Sequence, residues 1–177
     1  MTDTIKTLTS LRQSRQFDGS SIDPTDLRTI LDVARWTGSS RNSQPWQLIV
    51  VDDREQLKRL ANVRALNLWM ENASFALAIV MPEGSTVATQ YDEGRLSERV
   101  MLAAHVLGYG SGTGWFTKDE EIAAAKELLG VPLEASLRSL VVIGKVESDA
   151  EKHRSATGGR KPLNEIVSYN TYGERER

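Results

Sequence analysis

The loop from Thr37 to Trp46 carries more polar side chains than a simple connection requires. Its sequence is Thr-Gly-Ser-Ser-Arg-Asn-Ser-Gln-Pro-Trp. A turn needs only residues such as Gly, Pro, Asn or Ser that relax the backbone. Hydroxyls, side-chain amides and an Arg can instead offer many hydrogen bonds to a planar, heteroatom-rich ligand, with Trp46 as an aromatic anchor. We therefore predict that this segment is a binding loop.

Two pairs of cations are a second candidate for ligand binding. Arg12 and Arg15 lie three residues apart near the end of a predicted helix, so they could share one face. Arg160 and Lys161 lie far along the chain in a Gly-rich stretch. Because Arg presents forked donors and Lys a point charge, the two pairs could converge on one phosphate. The sequence leaves open the alternative that all four are solvated surface charges.

The glycine run from Gly108 to Gly114 has the composition of a dinucleotide-binding loop but not its context. Such a loop follows a strand and precedes a helix, whereas this run follows a long predicted helix. We predict a helix stop that leads into a flexible or closely approached backbone. A flat ligand could lie against that backbone, because glycine has no side chain.

Side-chain nucleophiles and metal ligands do not form a recognisable pattern in this sequence. The chain has no cysteine, and its two histidines, His105 and His153, are too scattered for a metal site. His105 lies in an apolar helix segment that suits packing, while Asp92 and Glu93 are interpreted as acidic residues at a helix start. No metal is predicted, and any chemistry is expected from a bound cofactor.

The length and composition indicate a single domain. Its net charge gives no general attraction to polyanions. The 177 residues are 40% apolar and 26% charged, with a net charge of −2. That charge argues against nucleic acid or an acidic membrane surface as a partner. No segment approaches the roughly 20 apolar residues of a membrane span. With a polar start and no cysteine, the sequence favours a cytoplasmic protein.

The elements that must position these residues alternate between helices and buried strands. The spacing predicts helices over residues 4–14, 24–36, 54–61, 65–72, 92–107 and 119–129, and strands over 48–51, 75–80 and 140–143. Asp23-Pro24 is a typical helix start, and Gly130 a typical helix end. The strands are continuously apolar rather than alternating, which predicts a sheet covered on both faces.

Taken together, these segments resemble the FMN-dependent nitroreductase family. The family's R-x-x-R-x-F motif matches Arg12–Phe17, and its S-S-x-N-x-Q-P-W loop matches Ser39–Trp46. An apolar helix, a glycine run ending at Trp115 and an R-K-P-L element at Arg160–Leu163 follow in the family's order. The resemblance covers nearly the whole chain, and the loop motif is its most specific part.

The resemblance implies an α+β fold with three layers, in which helices flank a central, mostly antiparallel sheet. Residues 1–177 would form a single domain. The family forms intertwined homodimers with an FMN at each interface, so residues 147–177 are expected to be a C-terminal extension that packs on the partner subunit.

The resemblance also implies which residues hold FMN. The first motif and the C-terminal element would bind the phosphate and the pyrimidine edge, while the loop and the glycine run would contact the flavin, partly across the subunit boundary. Ser14 is included because an alternative register aligns it with the family's Ser. The implied residues are Arg12, Gln13, Ser14, Arg15, Ser39, Ser40, Asn42, Gln44, Gly110, Ser111, Gly112, Thr113, Arg160 and Lys161.

The implied activity is a ping-pong oxidoreduction. NADH or NADPH would deliver hydride to flavin N5 and leave, after which a small electron-poor acceptor, such as a nitroaromatic, quinone or activated alkene, would take the electrons. No side chain is assigned as acid or base. Two alternatives stay open: a specialised flavoenzyme of the same superfamily, performing dehalogenation, flavin breakdown or azoline oxidation, and a flavin-binding protein with little turnover.

Overall fold

The structure is a computed structural model that describes residues 3–84, 86–148 and 159–175. The helices are α1 (Asp3–Ser10), α2 (Pro24–Arg35), α3 (Arg54–Asn62), α4 (Val87–Val106), α5 (Asp119–Leu129) and α6 (Leu163–Ile166). The strands are β1 (Gln47–Val51), β2 (Phe75–Met81), β3 (Gly110–Trp115) and β4 (Ser136–Gly144). Two 3-10 segments, Ser40–Asn42 and Ala65–Asn72, complete the described elements.

The strands form one antiparallel sheet in the order β1-β2-β4-β3. Ile49 of β1 pairs with Ala78 of β2, and Leu77 of β2 pairs with Val141 of β4. On the other side of β4, Thr113 of β3 also pairs with Val141. The central strands β2 and β4 are almost fully buried, which agrees with the apolar runs that predicted them.

Helices cover both faces of the sheet, so the fold has three layers. Phe75, Leu77 and Ile79 of β2 pack with apolar residues of α2 and α4. The alternate residues Ala76 and Ala78 face the opposite side and pack with α3, α5 and the second 3-10 segment. The predicted α+β fold with a covered, antiparallel sheet is confirmed.

Local capping signals set the helix ends that the sequence predicted best. The Asp23 side chain accepts a hydrogen bond from the Thr25 N–H at the start of α2, with Pro24 as its first residue. Gly130 ends α5 with a φ of 65°, in the left-handed region that favours glycine. The predicted helix over 119–129 is therefore confirmed at both ends.

The prediction that the first helix continues to residue 14 is wrong. Helix α1 ends at Ser10, and the following segment carries isolated bridges from Gln13 to Ser111 and from Phe17 to Val146. Phe17 is buried in the core. Pairing with the sheet and burial of this aromatic ring outweigh the weak helical preference of the segment. Arg12 and Arg15 therefore do not share a helix face.

The glycine run is a strand, which corrects the prediction of a flexible helix stop. Only Gly108, with a φ of 86°, ends the helix in the left-handed region. Residues Gly110–Trp115 form β3, and every residue of β3 pairs with a residue of β4. Glycine is usually unfavourable within a strand. It is required at Gly110 and Gly112 because a side chain at either position would collide with neighbouring segments.

Candidate functional site

The first candidate cluster lies along the open edge of β3. The Ser14 N–H donates to the Ser111 carbonyl at 2.7 Å, and Gln13 forms a parallel bridge with the same residue. The Gln13 side-chain oxygen also accepts a hydrogen bond from the Thr113 N–H at 3.3 Å. This edge brings together the predicted site residues Gln13, Ser14, Gly110, Ser111, Gly112 and Thr113.

One side of the glycine backbone is covered by the chain itself. A Cβ placed on Gly112 would lie 2.8 Å from the Ser14 carbonyl and 3.0 Å from the Trp69 ring. A Cβ on Gly110 would lie 2.9 Å from Ser14. The absence of side chains therefore allows the segment around Ser14 and Trp69 to approach β3 closely. On the other side of the sheet, the Thr113 hydroxyl lies 3.7 Å from the sulfur of Met101 in α4.

Two arginines make this edge positively charged. Arg12 donates from Nη1 to the carbonyls of Thr9 and Leu11, at 2.9 and 2.7 Å. Its Nε and Nη2 groups have no partner among the described residues. The Arg15 guanidinium lies over the Trp69 ring, 5.6 Å from its centre, and forms no ion pair with any described residue. Both arginines are exposed, so their remaining donors face solvent or a ligand.

The groups at the β3 edge fit an anionic cofactor with polar atoms. The Ser111 hydroxyl is buried and has no hydrogen-bond partner among the described residues. A buried polar group without a partner costs about 1–3 kcal/mol. The Ser111 hydroxyl, in the residue that Gln13 bridges, is therefore an unused hydrogen-bonding group. The free donors of Arg12 and Arg15 suit a phosphate, because guanidinium groups bind phosphate oxygens through paired hydrogen bonds.

The second candidate cluster is the loop predicted from its polar residues. Arg41, Asn42 and Gln44 have φ values of 53°, 55° and 45°. Residues other than glycine rarely adopt this left-handed backbone conformation, which costs about 1–3 kcal/mol for each residue. The Ser39 hydroxyl accepts a hydrogen bond from the Gln44 N–H at 2.8 Å, which ties the turn closed. Within this turn, Ser40, Asn42 and Gln44 are exposed.

Three side chains on one face of helix α4 contact the loop or Trp36, the residue just before it. Asp92 is buried and accepts a hydrogen bond from the Ser40 N–H at 2.9 Å. Arg99 donates to the Trp36 carbonyl at 3.0 Å. Arg95 packs on the loop backbone so closely that a Cβ on Gly38 would lie 2.6 Å from its Nη2.

The interpretation of Asp92 and Glu93 as helix-start acids is wrong. Helix α4 begins at Val87 with Thr86 as its cap, which places both carboxylates inside the helix. Both are buried: Asp92 binds the loop, and Glu93 accepts a hydrogen bond from the Ser139 hydroxyl of β4. The sequence signal for the loop contact was the spacing of 92, 95 and 99, which puts their side chains on one helical face.

The two clusters meet α4 at different places. The loop contacts it at Asp92, and β3 contacts it at Met101, nine residues further along. This separation corresponds to about 13 Å at 1.5 Å per residue. Among the described residues, no hydrogen bond joins the loop to the β3 edge.

The predicted C-terminal cations are exposed and form no hydrogen bond with either cluster within the described part of the chain. Arg160 and Lys161 form no ion pair with any described residue. The short helix α6 that follows them leaves Leu163 and Ile166 exposed by 74% and 63%, and Tyr172 is 97% exposed. Of the predicted extension over residues 147–177, positions 149–158 and 176–177 lie outside the described residues.

A large groove is lined by residues of α1, α2 and α4 and by Thr37. Its volume is about 1160 Å³, and its walls include the apolar residues Leu8, Val33, Leu102 and Val106. The buried hydroxyl of Thr37, at the start of the loop, also lines the groove and has no partner among the described residues. The groove therefore combines an apolar surface with an unused hydrogen-bonding group.

A polar network fixes the end of β3. Arg64 and Asn67 each donate to the Trp115 carbonyl at 3.0 Å. Glu121 accepts from the N–H groups of Thr117 and Lys118, at 2.8 and 3.2 Å. These backbone hydrogen bonds, together with the nearby Arg64 guanidinium, lower the pKa of Glu121.

The described part of the chain contains neither a metal-binding cluster nor a membrane-spanning helix. Over residues 3–84, 86–148 and 159–175, no group of three or more His, Cys, Asp or Glu side chains is arranged to hold a metal ion. In the same ranges, no helix has the length and apolar character needed to cross a membrane.

Comparison with known proteins gives concordant matches. Residues 9–80 match the Nitroreductase family model. A candidate NADH dehydrogenase/NAD(P)H nitroreductase of Archaeoglobus fulgidus is 32% identical over 150 residues, which cover 81% of this chain and 86% of that protein.

Solved structures share the fold at lower identity. An FMN-dependent nitroreductase from Clostridium difficile R20291 superposes with a TM-score of 0.82 at 24% identity, covering 95% of this chain and 99% of that one. Nitroreductase A from Vibrio parahaemolyticus superposes with a TM-score of 0.84 at 23% identity, covering 98% and 78%. These two likenesses show a common fold.

Proposed function

The chain belongs to the nitroreductase family of oxidoreductases, and we propose that it uses FMN to carry electrons from NADH or NADPH to a small electron-poor acceptor. The relatives named NAD(P)H nitroreductase and the FMN-dependent neighbour support this proposal. A nitroaromatic, a quinone or an activated alkene is the class of acceptor that we propose, in a ping-pong cycle in which both substrates use the same site in turn.

The observation that carries the proposal is the cationic edge of β3. Arg12 and Arg15 have guanidinium donors without hydrogen-bond partners among the described residues, and between them in sequence the Gln13 side-chain oxygen accepts a hydrogen bond from the Thr113 N–H. We assign Arg12 and Arg15 to the FMN phosphate and the pyrimidine edge, and Gln13 with Ser14 to the neighbouring polar atoms. Positive charge at this position would favour the reduced, anionic form of a bound flavin.

The loop is proposed to contact the flavin of a partner subunit in a homodimer. The separation along α4 between the contact with the loop and the contact with β3 supports this assignment. Within a single chain, the two clusters lie at different positions on this helix. Ser39, Ser40, Asn42 and Gln44 would then supply hydrogen bonds from the second chain. The apolar groove beside α4 and the exposed side chains of Leu163 and Ile166 offer surfaces that a dimer would bury.

Residues 147–177 are proposed to pack on the partner, with Arg160 and Lys161 as further ligands of the phosphate. A bound FMN would supply two-electron chemistry, with hydride coming from the nicotinamide and two electrons passing to the acceptor, which takes up protons from solvent. The residues of this chain would bind and orient it, exclude water and stabilise its charge. None of them is assigned a proton-transfer step.

Reconstitution with FMN followed by anaerobic reduction tests this function. The purified protein is mixed with FMN, freed of excess by gel filtration, and titrated with NADH or NADPH in the absence of oxygen. We expect a bound flavin spectrum that bleaches with one of these nucleotides and returns on addition of a quinone or nitroaromatic.

Two other outcomes would contradict the proposal in different ways. A protein that retains no FMN would refute the assigned cofactor. A protein that binds FMN but is reduced by neither nucleotide would refute the proposed electron donor and favour a flavin-binding protein with little turnover.

A further inference from the structure

We propose that Asp92, together with Arg95, is a positioning element that sets the shape of the cofactor-binding loop. This inference rests on the proposed FMN function and extends it to residues of α4 outside the predicted site. Neither side chain belongs to the family motifs in the sequence, and their assigned role is to act on the ligand through the loop rather than by direct contact.

The loop needs an external support because its backbone is strained. The φ angles of Arg41, Asn42 and Gln44 are all positive, and three such residues within four positions add several kcal/mol of local cost. Such conformations persist only where the surroundings impose them. Within the loop, the hydrogen bond from the Gln44 N–H to the Ser39 hydroxyl closes the turn but does not fix it to the domain.

The Asp92 carboxylate supplies that attachment immediately before the strained residues. It is 2% exposed, and its Oδ2 accepts the Ser40 N–H at 2.9 Å. Its other oxygen lies 3.4 Å from Nη1 of Arg95. A hydrogen bond to a buried, charged acceptor is stronger than one between neutral groups, so this contact is well suited to hold the start of the turn.

Arg95 connects the same carboxylate to the preceding part of the loop. Its guanidinium covers Gly38, where a Cβ would lie 2.6 Å from Nη2. It also lies over the Tyr91 ring, 5.9 Å from its centre. Arg95 therefore contacts the backbone at Gly38, and Asp92 binds the amide of Ser40. Because these two side chains form one i,i+3 ion pair on α4, we infer that the loop shape depends on that pair.

Substitution of Asp92 tests the inference through the affinity for FMN. In Asp92→Ala, we expect the dissociation constant for FMN to rise at least tenfold and the visible circular dichroism of bound flavin to change. Amide hydrogen exchange at Ser40 should accelerate in the FMN-free protein. Asp92→Asn keeps an acceptor for the Ser40 N–H but loses the charge and the ion pair with Arg95, so we expect it to recover only part of the affinity and exchange protection that Asp92→Ala loses.

Two further variants separate positioning from general stability. Asp32→Ala removes the exposed carboxylate of a matched i,i+3 pair, Asp32–Arg35 on α2, and should leave FMN affinity unchanged. Arg95→Ala truncates a side chain that is 45% exposed, so the fold should survive, and we expect a rise of about threefold in the dissociation constant.

The outcomes distinguish this inference from the proposed function. If the wild-type chain binds FMN and both Asp92→Ala and Arg95→Ala bind it equally well with unchanged flavin dichroism, the positioning role is refuted. If Asp92→Ala does not fold, an unchanged affinity in Arg95→Ala is sufficient to refute it. Failure of the wild-type chain to bind FMN would refute the proposed function and this inference with it.

Discussion

The β3 edge and the Thr37–Trp46 loop are held in place by different kinds of interaction. At the edge, backbone pairing and close packing against glycine fix the segment around Ser14. In the loop, a strained backbone is held by side-chain hydrogen bonds from α4. The edge is thus part of the folded core, whereas the turn at residues 40–44 of the loop lies on its surface.

This difference predicts different consequences of mutation in the two regions. Changes that disturb the β3 edge should reduce the stability of the whole domain and, with it, cofactor binding. Changes in the loop should affect cofactor binding with little loss of stability, because its exposed polar residues bury little apolar surface.

Gly112→Ala should have the largest effect, on stability. The added Cβ would lie 2.8 Å from the Ser14 carbonyl, a backbone atom that cannot move without displacing the edge segment. We expect the free energy of unfolding, measured by urea denaturation, to fall by about 1–3 kcal/mol. Gly159→Ala is the control, because no atom of the described residues lies within 4 Å of its new Cβ. Equal stability of the two variants would contradict the close packing at this edge.

Asn42→Gly should separate binding from stability in the loop. Glycine accepts the φ of 55° without strain, so the fold should remain, while the side-chain amide proposed to contact the flavin is lost. We expect about a three- to tenfold rise in the dissociation constant for FMN. The unfolding free energy should not fall by more than about 0.5 kcal/mol, because release of the strained φ offsets the entropy that glycine adds to the unfolded chain.

A matched control for Asn42→Gly lies in the C-terminal region. Asn170 has a φ of 61°, so Asn170→Gly makes the same chemical change at a similar backbone conformation. It should alter neither FMN affinity nor stability. A large loss of stability in Asn42→Gly alone would show that the loop is part of the folded core, which contradicts the comparison.

Glu121→Gln should give the smallest effect and show a defined pH dependence. The pKa of Glu121 is lowered from 4.5 by hydrogen bonds from the Thr117 and Lys118 N–H groups and by Arg64. A lowered pKa in the folded state adds stability above the unfolded value, which is lost as pH falls through the folded value. The variant should therefore melt below wild type at pH 7, and the difference should shrink as pH falls below about 4.5.

Glu120→Gln provides the control for this pH dependence. Glu120 is exposed, and its carboxylate lies 3.8 Å from the Lys118 ammonium, so its removal should change the melting temperature little at any pH. A constant difference between Glu121→Gln and wild type from pH 7 to pH 3 would show that the carboxylate charge does not stabilise the end of β3.

Local sequence signals predicted the parts of the fold that depend on near neighbours. Asp23-Pro24 and Gly130 set helix ends through contacts within a few residues, and the apolar runs of β2 and β4 required burial. The strand identity of Gly110–Trp115 was missed because it depends on pairing with β4, more than 20 residues later in the chain. Glycine itself carries no preference that would have indicated it.

The ligand-binding role of the site residues stays a prediction, but their placement can be compared with the sequence. The structure places most of the residues named from the family motifs at the β3 edge and in the loop. The contact between Asp92 and Ser40 crosses 52 positions, so neither residue indicates it alone. The assignment of Arg12 and Arg15 to a shared helix face failed for the same reason, since the end of α1 is set by distant pairing with Ser111.

The central claim is that one FMN is held by the β3 edge of one chain and the loop of another. Hybrid dimers test it most directly. One chain carries Arg12→Ala and Arg15→Ala, the other carries Asn42→Ala and Gln44→Ala, and different affinity tags allow the hybrid to be purified. We predict that it binds one FMN per dimer with wild-type affinity, although each parent homodimer binds weakly, because one site then combines the unaltered edge and the unaltered loop. Weak binding at both sites of the hybrid would contradict the claim.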